Sequence, residues 1–495
     1  MSRSTSLLDK SLRAAGWGYV GSVVRLFVQI IAQIVLARLL GPQDYGLFAI
    51  GVVLVSLTFL FSDVASSALI PMAEVNQGQL GFAFFCQLLA GALATFILIA
   101  FAQPIAILMG QARSEAVIMA LAPVCLINAI GGVALAQLRR RLAYGSIQFA
   151  QTLGYFLGYI LVAIPLAVWF DAGVWALVAA WLVQASLTSL VYWLKAPHSL
   201  IPVTTCDESR QMLDFGLAAM LANFSNWALA NVDKLIVARF SPLIETGLYS
   251  TSMSLLNTPL AQILGTFQSV TFSASSRMEK GADEKLFLPL VGLVSLLIWS
   301  MYGFVFAVSE TLISALYGPK WIAAVPYMSA FSVSLAAFGT MSAITPLLWG
   351  RGAVRREALP QFWMALLLGL VAWFAVKQSS LAVAWGVAAV YILRCGWIIV
   401  SGVQTFKVSG FALLVMLTRV GSFAVLLSVL SLLLDRELMH YLRHPLPRLL
   451  CDSLFLFVIL TLGMIFRRAW FGALLAAIID QPINALSKRL GLKSK

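Results

Sequence analysis

Charged residues are scarce in this chain. Only 11% of its 495 residues are Asp, Glu, Lys or Arg, whereas 61% are hydrophobic, and soluble globular proteins carry about 25% charged residues. No stretch is long and polar enough to form a soluble domain. The surface helices of a large soluble helical core would need polar faces, which are almost entirely missing. The sequence therefore predicts an all-α integral membrane protein.

Signatures of metal, disulfide and catalytic sites are also missing. The five cysteines form no C-x-x-C pair, and the three histidines lie in loops without metal-ligand spacing. The chain has no G-x-x-x-x-G-K-[ST] phosphate loop, no Ser/His/Asp set and no paired carboxylates. We therefore expect no metal, no cofactor and no enzymatic activity.

The positive charge of the chain does not indicate nucleic acid. The formal net charge is +13, but the basic residues are scattered through short loops, and a membrane protein is expected to carry an excess of Lys and Arg in its cytoplasmic loops. No nucleic-acid partner is predicted.

Apolar segments follow one another almost without pause. A membrane helix needs about 20 such residues, and Gly-Pro or charged turns separate fourteen candidates. The predicted spans are 15–38, 45–70, 82–109, 115–137, 147–169, 173–194, 213–238, 246–271, 287–312, 322–348, 360–376, 380–404, 411–434 and 448–467.

The distribution of basic residues tests this count. With a cytoplasmic amino terminus, 21 Lys and Arg residues fall in cytoplasmic segments and 8 in the opposite loops. One miscounted span would spoil this bias, which follows the positive-inside rule. Both termini are therefore predicted to be cytoplasmic.

An internal repeat appears at an offset of 201 residues. Ile34–Arg38 aligns with Leu235–Arg239, and the Gly-Leu-aromatic run at Gly46 aligns with the one at Gly247. Asp44 also matches Glu245. Since the two copies have the same predicted topology, the repeat is parallel, with an axis along the membrane normal.

The repeat aligns two polar stripes, one in span one and one in span seven. Each has helical spacing, which places its members on one face. The stripes are Ser22, Arg25, Gln29 and Gln33, and Asn223, Asn226, Ala230 and Lys234. A charge at the bilayer centre costs at least about 2.5–3.5 kcal/mol, so such residues face a bundle interior or a water-filled cavity. Two related halves with facing polar stripes are typical of a secondary transporter.

Four short runs resemble a known family. They are LARLLGPQDYGLF at 36–48, FSDVASSALI at 61–70, LRRRL at 138–142 and NVDKL at 231–235. The chain is similar to the polysaccharide transporter branch of the multidrug/oligosaccharidyl-lipid/polysaccharide exporters, the Wzx-like flippases. The similarity covers nearly the whole chain and is densest in residues 1–280.

The resemblance implies a fold and a function. The fold is two pseudo-symmetric six-helix lobes, 1–200 and 201–405, with two additional helices and a basic tail in 406–495. The function is to flip undecaprenyl-diphosphate-linked oligosaccharide units across the bacterial inner membrane, through a cationic central cavity, for exopolysaccharide or lipopolysaccharide biosynthesis. Partners would be the lipid-linked substrate and membrane lipids, with polymerase and export proteins of the same pathway as candidates.

A diphosphate ligand favours arginine, which binds oxyanions with two parallel donors. Arg25 is the first candidate for substrate binding and Lys234 the second. Arg25 could instead pair structurally with Asp63, and adjacent Asp233 could neutralise Lys234. These two acids are also candidates for ion coupling.

The other polar positions are open to two interpretations. Ser22, Gln29, Gln33, Asn223 and Asn226 could line the cavity. The four amides could bind sugar hydroxyls or could equally stabilise helix contacts. Arg394 in span twelve is a weaker candidate for the cavity lining.

Three other functions compete with the flippase prediction. A cation-coupled multidrug exporter should have an acidic cavity, whereas spans one and seven carry Arg25 and Lys234. A membrane-embedded polymerase or ligase would need a long outer loop with catalytic Arg or His, and the longest predicted outer loop is 435–447. The polar stripes argue against a non-transporting scaffold.

Overall fold

The computed structural model describes residues 2–62, 64–70, 72, 74–275 and 282–466. Within these ranges the regular structure is helical, without strands. A π-helical segment, Phe156–Ala163, joins α8 to α9, and a 3-10 segment, Pro319–Ala324, precedes α15. The helices are α1 (Ser2–Leu39), α2 (Pro42–Ser62), α3 (Val64–Ala68), α4 (Gln77–Ala100), α5 (Ala102–Leu108), α6 (Ser114–Leu121), α7 (Pro123–Arg140), α8 (Tyr144–Tyr155), α9 (Ile164–Trp169), α10 (Val174–Lys195), α11 (Ser209–Phe240), α12 (Leu243–Ser275), α13 (Ala282–Ala307), α14 (Ser309–Leu316), α15 (Val325–Gly350), α16 (Arg355–Ala375), α17 (Ser380–Phe406), α18 (Gly410–Tyr441) and α19 (Pro445–Phe466).

The helices confirm a multi-pass membrane protein. In the described part of the chain, twelve helical segments are long and apolar enough to cross a membrane. The predicted spans seven and eight correspond to α11 and α12, which are 32 and 33 residues long but are not among those twelve. Polar side chains, such as Asp214, Asp233 and Lys234 of α11, lower their hydropathy. The all-α membrane fold is therefore confirmed, and the total of fourteen stays a prediction.

The outer loop predicted at 435–447 is much shorter than expected. α18 continues to Tyr441 and α19 begins at Pro445, so only residues 442–444 connect them. The predicted span ends just before Asp435, and a lone buried carboxylate is costly. In the structure its Oδ1 lies 3.1 Å from Arg448 Nε and accepts a 2.7 Å hydrogen bond from Thr311. This compensation lets the helix continue past the charge.

The chain divides into two compact units. The first contains the described residues up to Thr251 together with Leu368–Val383, and the second contains those of Ser252–Leu367 and from Ala384 onward. These limits follow packing. The division at 200 and 405 follows the repeat and stays a prediction.

The first unit is built around tightly packed apolar helices. α4 packs on α7, and α10 packs on α7, α8 and the π-helical segment. Leu98, Ile118, Leu121 and Val178 lie at one of its buried centres. Tyr155 and Tyr159 stack with ring centroids 4.2 Å apart where the π-helical segment begins, and Pro165, which lacks an amide hydrogen, follows its end.

In the second unit α13 packs between α15 and α18. Hydroxyl groups reinforce the contact with α15, since the Ser295 and Thr340 hydroxyls lie 3.2 Å apart and Trp299 Nε1 donates to Thr340 over 2.8 Å. Such interhelical hydrogen bonds and close packing hold membrane helices together, because lipid provides no hydrophobic drive between them.

The two glycines of the repeat meet each other in the first unit. A Cβ on Gly46 would collide with the carbonyl oxygen of Leu243 and lie 3.2 Å from the Gly247 nitrogen. A Cβ on Gly247 would collide with the carbonyl oxygen of Pro42 and lie 3.0 Å from the Gly46 nitrogen. Leu243 is the repeat partner of Pro42, so the contact is reciprocal. The repeat is therefore expressed in packing, at a site where only glycine fits.

Replacing Gly247 with alanine should destabilise the protein by about 1–3 kcal/mol, the usual cost of overpacking. The new methyl group meets backbone, which cannot move aside as a side chain can. Thermal unfolding of the detergent-purified variant measures the loss. Gly265→Ala on the same helix is the matched control, because a Cβ there meets nothing within 4 Å. Equal melting temperatures for the two variants would contradict the close approach.

Replacing Arg448 with methionine should lower the free energy of unfolding by about 3–5 kcal/mol, because it leaves Asp435 buried without its cation. Arg443→Met is the control, since Arg443 is exposed in the adjacent connection. Denaturant unfolding in detergent compares the two variants. A similar small effect for both would show that the buried pair is not coupled.

Candidate functional site

The polar stripe of α1 lies against α8. Ser22 is buried, and Arg25, Gln29 and Gln33 are partly buried. The helices approach closely at Gly21, where a Cβ would lie 2.8 Å from the Cβ of Gln148. The polar stripe therefore faces protein within the first unit, as the cost of intramembrane charge requires.

Arg25 is held by neutral polar groups. Its Nη1 donates to Oε1 of Gln151 on α8, and the hydroxyls of Tyr155 and Tyr192 lie close enough to interact with its charge. Among the described residues no carboxylate forms an ion pair with it. Asp63, the acid considered as a structural partner and as a coupling candidate, lies outside the described residues.

In the described part of the chain, several buried polar atoms near Arg25 and Gln151 have no protein partner. They are Oε1 of Gln29, Oε1 of Gln148 and Oγ1 of Thr152. Buried polar groups normally have hydrogen-bond partners, because an unmade bond costs about 1–3 kcal/mol. These atoms could form hydrogen bonds with water or with the polar groups of a ligand. We define Arg25, Gln29, Gln148, Gln151 and Thr152 as the Arg25 cluster.

The α8 members of the Arg25 cluster were not identified from the sequence. Gln148, Gln151, Thr152 and Tyr155 recur at positions i, i+3, i+4 and i+7, the same helical pattern that marked α1. That pattern could have found them. The repeat aligns polar positions of α1 and α11 only, and these residues of α8 are not among them.

The second polar stripe has a different environment. Asn223 and Asn226 are exposed and Lys234 is partly buried. Its helix, α11, packs on α2 and α3, whereas α1 packs on α8. Lys234 donates to Oδ1 of Asn231 over 3.4 Å and borders a cavity of about 10 Å³, enough for about one water molecule.

Asp233 forms a hydrogen bond with the second copy of the repeat motif. It is 3% exposed, and its Oδ2 accepts a 2.5 Å hydrogen bond from the hydroxyl of Tyr249, the aromatic residue of the second Gly-Leu-aromatic run. Oδ1 has no partner among the described residues. One oxygen is therefore structural, and the other is open to a proton or cation.

Arg394 is already paired within the second unit. Its Nη2 lies 3.5 Å from Glu357 and donates to Gln361 over 3.3 Å, while Trp349 donates to Glu357 over 2.5 Å. The arginine is 6% exposed. This arrangement favours a role in holding α15, α16 and α17 together, and its place in a cavity lining stays a prediction.

A family model for polysaccharide biosynthesis proteins matches residues 35–326, which is more than half of the chain. The chain belongs to this polysaccharide biosynthesis protein family. The predicted resemblance to Wzx-like transporters is thereby confirmed. A relative in sequence is the succinoglycan biosynthesis transport protein ExoT of Rhizobium meliloti, 22% identical over 399 residues, which are 78% of this chain and 79% of the relative.

Solved structures give the same fold for this member of the polysaccharide biosynthesis family. The lipid II flippase MurJ, in an inward closed conformation, aligns with a TM-score of 0.71 and 12% identity over 92% of this chain and 99% of its own. An inward-facing multidrug resistance transporter of the MATE family aligns with a TM-score of 0.62 and 15% identity over 78% of this chain and 98% of its own. At these identities the similarity shows the fold.

Proposed function

We propose that this protein is a flippase that moves undecaprenyl-diphosphate-linked oligosaccharide units across the bacterial inner membrane. The observation that carries the proposal is Arg25. It is a cation within an apolar span that donates to the amide of Gln151 and lies near two tyrosines, with no carboxylate partner among the described residues. Its charge is therefore available to an anionic ligand.

The chemistry of the substrate requires such a group. A sugar diphosphate carries negative charge and many hydroxyls, and each polar group left unsatisfied in hydrocarbon costs several kcal/mol. The guanidinium of Arg25 offers donors in a fixed fork that suits a diphosphate. Gln29, Gln148 and Thr152 have buried oxygens that lack partners among the described residues, and such oxygens suit the hydroxyls of a sugar.

Transport in this proposal exposes the Arg25 cluster alternately to the two sides of the membrane, with both termini in the cytoplasm. The lipid-linked oligosaccharide enters from the cytoplasmic leaflet and leaves on the other side for exopolysaccharide or lipopolysaccharide assembly. Polymerase and export proteins of that pathway are the expected partners. The described relationship to a succinoglycan transport protein supports this substrate class.

The competing functions are less well supported. A multidrug exporter of cations would be expected to have an acidic cavity, whereas this chain has Arg25. This holds even though the fold is shared with a MATE transporter. A polymerase or ligase would need a long outer loop, and the candidate segment is reduced to residues 442–444 between α18 and α19. Both observations favour a transporter of an anionic lipid.

Replacing Arg25 with alanine should reduce flipping at least about tenfold. One charge-assisted contact contributes roughly 1.5–3 kcal/mol, and about 1.4 kcal/mol corresponds to a factor of ten. The assay reconstitutes the protein with undecaprenyl-diphosphate oligosaccharide in liposomes and follows leaflet access with an impermeant probe. Arg25→Lys separates charge from geometry, since partial rescue indicates charge and no rescue indicates bidentate binding.

The control for this assay is Arg113→Ala, which removes an exposed arginine between α5 and α6. Its flipping rate should match that of the wild type. If the wild-type protein flips no substrate, the proposed function is wrong. If the wild type flips and Arg25→Ala is equally active, the function holds and the site is elsewhere.

Ion coupling should depend on Asp63 or Asp233. The motivation is an intramembrane acid, Asp233, with one oxygen unpartnered among the described residues, and no phosphate loop for ATP in the sequence. Asp→Asn at the coupling acid should abolish the dependence of flipping on a pH or sodium gradient while downhill exchange persists. Gradient-driven flipping unchanged in both variants would exclude both acids.

A further inference from the structure

A separate polar pocket lies in the first unit, away from the Arg25 cluster. Its volume is about 180 Å³, more than ten times the roughly 10–15 Å³ that one water molecule needs. Its polar lining consists of Gln77, Gln137, Arg140 and Arg141, and the rest of the lining is apolar. In the described part of the chain two cations and no acid line this pocket.

The arrangement of the arginines and Gln137 leaves the amide nitrogen of Gln137 without an acceptor in the described structure. Arg140 Nε donates to the carbonyl oxygen of Met72 over 3.0 Å, which fixes one wall. Arg141 Nη2 donates to Gln137 Oε1 over 3.0 Å. Because arginine can only donate, Gln137 must present its oxygen to Arg141, so its amide nitrogen is the remaining group. Gln137 is 8% exposed, and its Nε2 has no partner in the described structure.

The position of the pocket corresponds to the membrane surface. The membrane-length segment that contains α7 ends at Arg140, and the one formed by α4 begins at Gln77. Lipid phosphates lie at the level where apolar spans end. The first turn of α4 also presents the positive end of a helix dipole, although Asn76 caps the backbone of Gln79 over 2.8 Å.

The positive charge of the pocket comes from its arginines and not from the neighbouring histidine. Burial lowers the pKa of His198, which follows the pocket residue Pro197, so its ring is neutral near pH 7. The positive charge of the pocket therefore comes from Arg140 and Arg141. An unpaired buried amide donor beside two guanidinium groups is a recognition set for an oxyanion, and phosphate is the oxyanion of the membrane surface.

We propose that this pocket binds the phosphate of an anionic lipid headgroup, with Gln137 Nε2 and Arg141 as direct donors. Arg140 shapes the wall through Met72. The apolar walls, which include Leu69, Val75 and Leu80, contact the glycerol part of the lipid. A free phosphate ion would keep its own hydration and gain nothing from these walls. The site is independent of which oligosaccharide the protein transports.

The test titrates the full-length protein in a neutral detergent with short-chain phosphatidylglycerol and follows thermal unfolding by tryptophan fluorescence. We expect saturable stabilisation. Uncharged short-chain diacylglycerol should give none, and inorganic phosphate at equal ionic strength should bind at least about tenfold more weakly. Phosphate that binds as tightly as the lipid would overturn the lipid assignment, and the absence of saturable binding would overturn the site.

Three variants locate the site. Gln137→Leu and Arg141→Gln should each weaken phosphatidylglycerol binding about tenfold, the factor expected when one hydrogen bond to a charged group is lost. Arg139→Gln is the matched control, because it removes the same charge from an exposed neighbour that does not line the pocket. Equal losses in the Arg139 and Arg141 variants, with no loss for Gln137→Leu, would show diffuse attraction and overturn the proposal. None of these variants touches the Arg25 cluster, so flipping reports separately on the proposed function.

Discussion

The cost of charge inside a membrane governs the arrangement of the polar residues in this structure. Moving a carboxylate or guanidinium from water into a low-dielectric interior costs several kcal/mol unless a partner compensates it. Two buried arginines meet that condition with acids, Arg394 with Glu357 and Arg448 with Asp435. Arg25 is surrounded by neutral donors and acceptors instead. Among the described residues, Arg25 therefore differs from these two arginines in having a neutral hydrogen-bond partner.

The limits of most helices were predictable because apolar runs and turn residues mark them in the sequence. Most predicted spans agree with the helices to within a few residues, for example 173–194 against Val174–Lys195. The predicted end of a span was wrong where a buried ion pair compensates a charge. The predicted span ends at residue 434, whereas α18 continues to Tyr441, and Arg448 on the next helix neutralises Asp435. The hydropathy of one helix carries no information about an ion-pair partner on another helix.

The candidate site was only partly predictable for a related reason. The α1 stripe was visible because polar residues in an apolar span are conspicuous, and the structure places Arg25 and Gln29 in one cluster. Their partners on α8 have the same helical spacing but no charge, so Gln148 and Thr152 were not predicted from the sequence. The pairing of α1 with α8 is a tertiary contact, and the sequence contains no local signal for it.

The repeat separates scaffold from chemistry. Gly46 and Gly247 make the same close contact from opposite sides, so the packing of the two copies is reciprocal at this point. The polar groups of the two copies differ. Arg25 corresponds to Asn226, and Phe48 corresponds to Tyr249, which supports Asp233. In the proposed mechanism, the copy with Arg25 would bind the anionic substrate, and the copy with Asp233 would couple its movement to an ion. The repeat would then assign substrate binding and ion coupling to different copies.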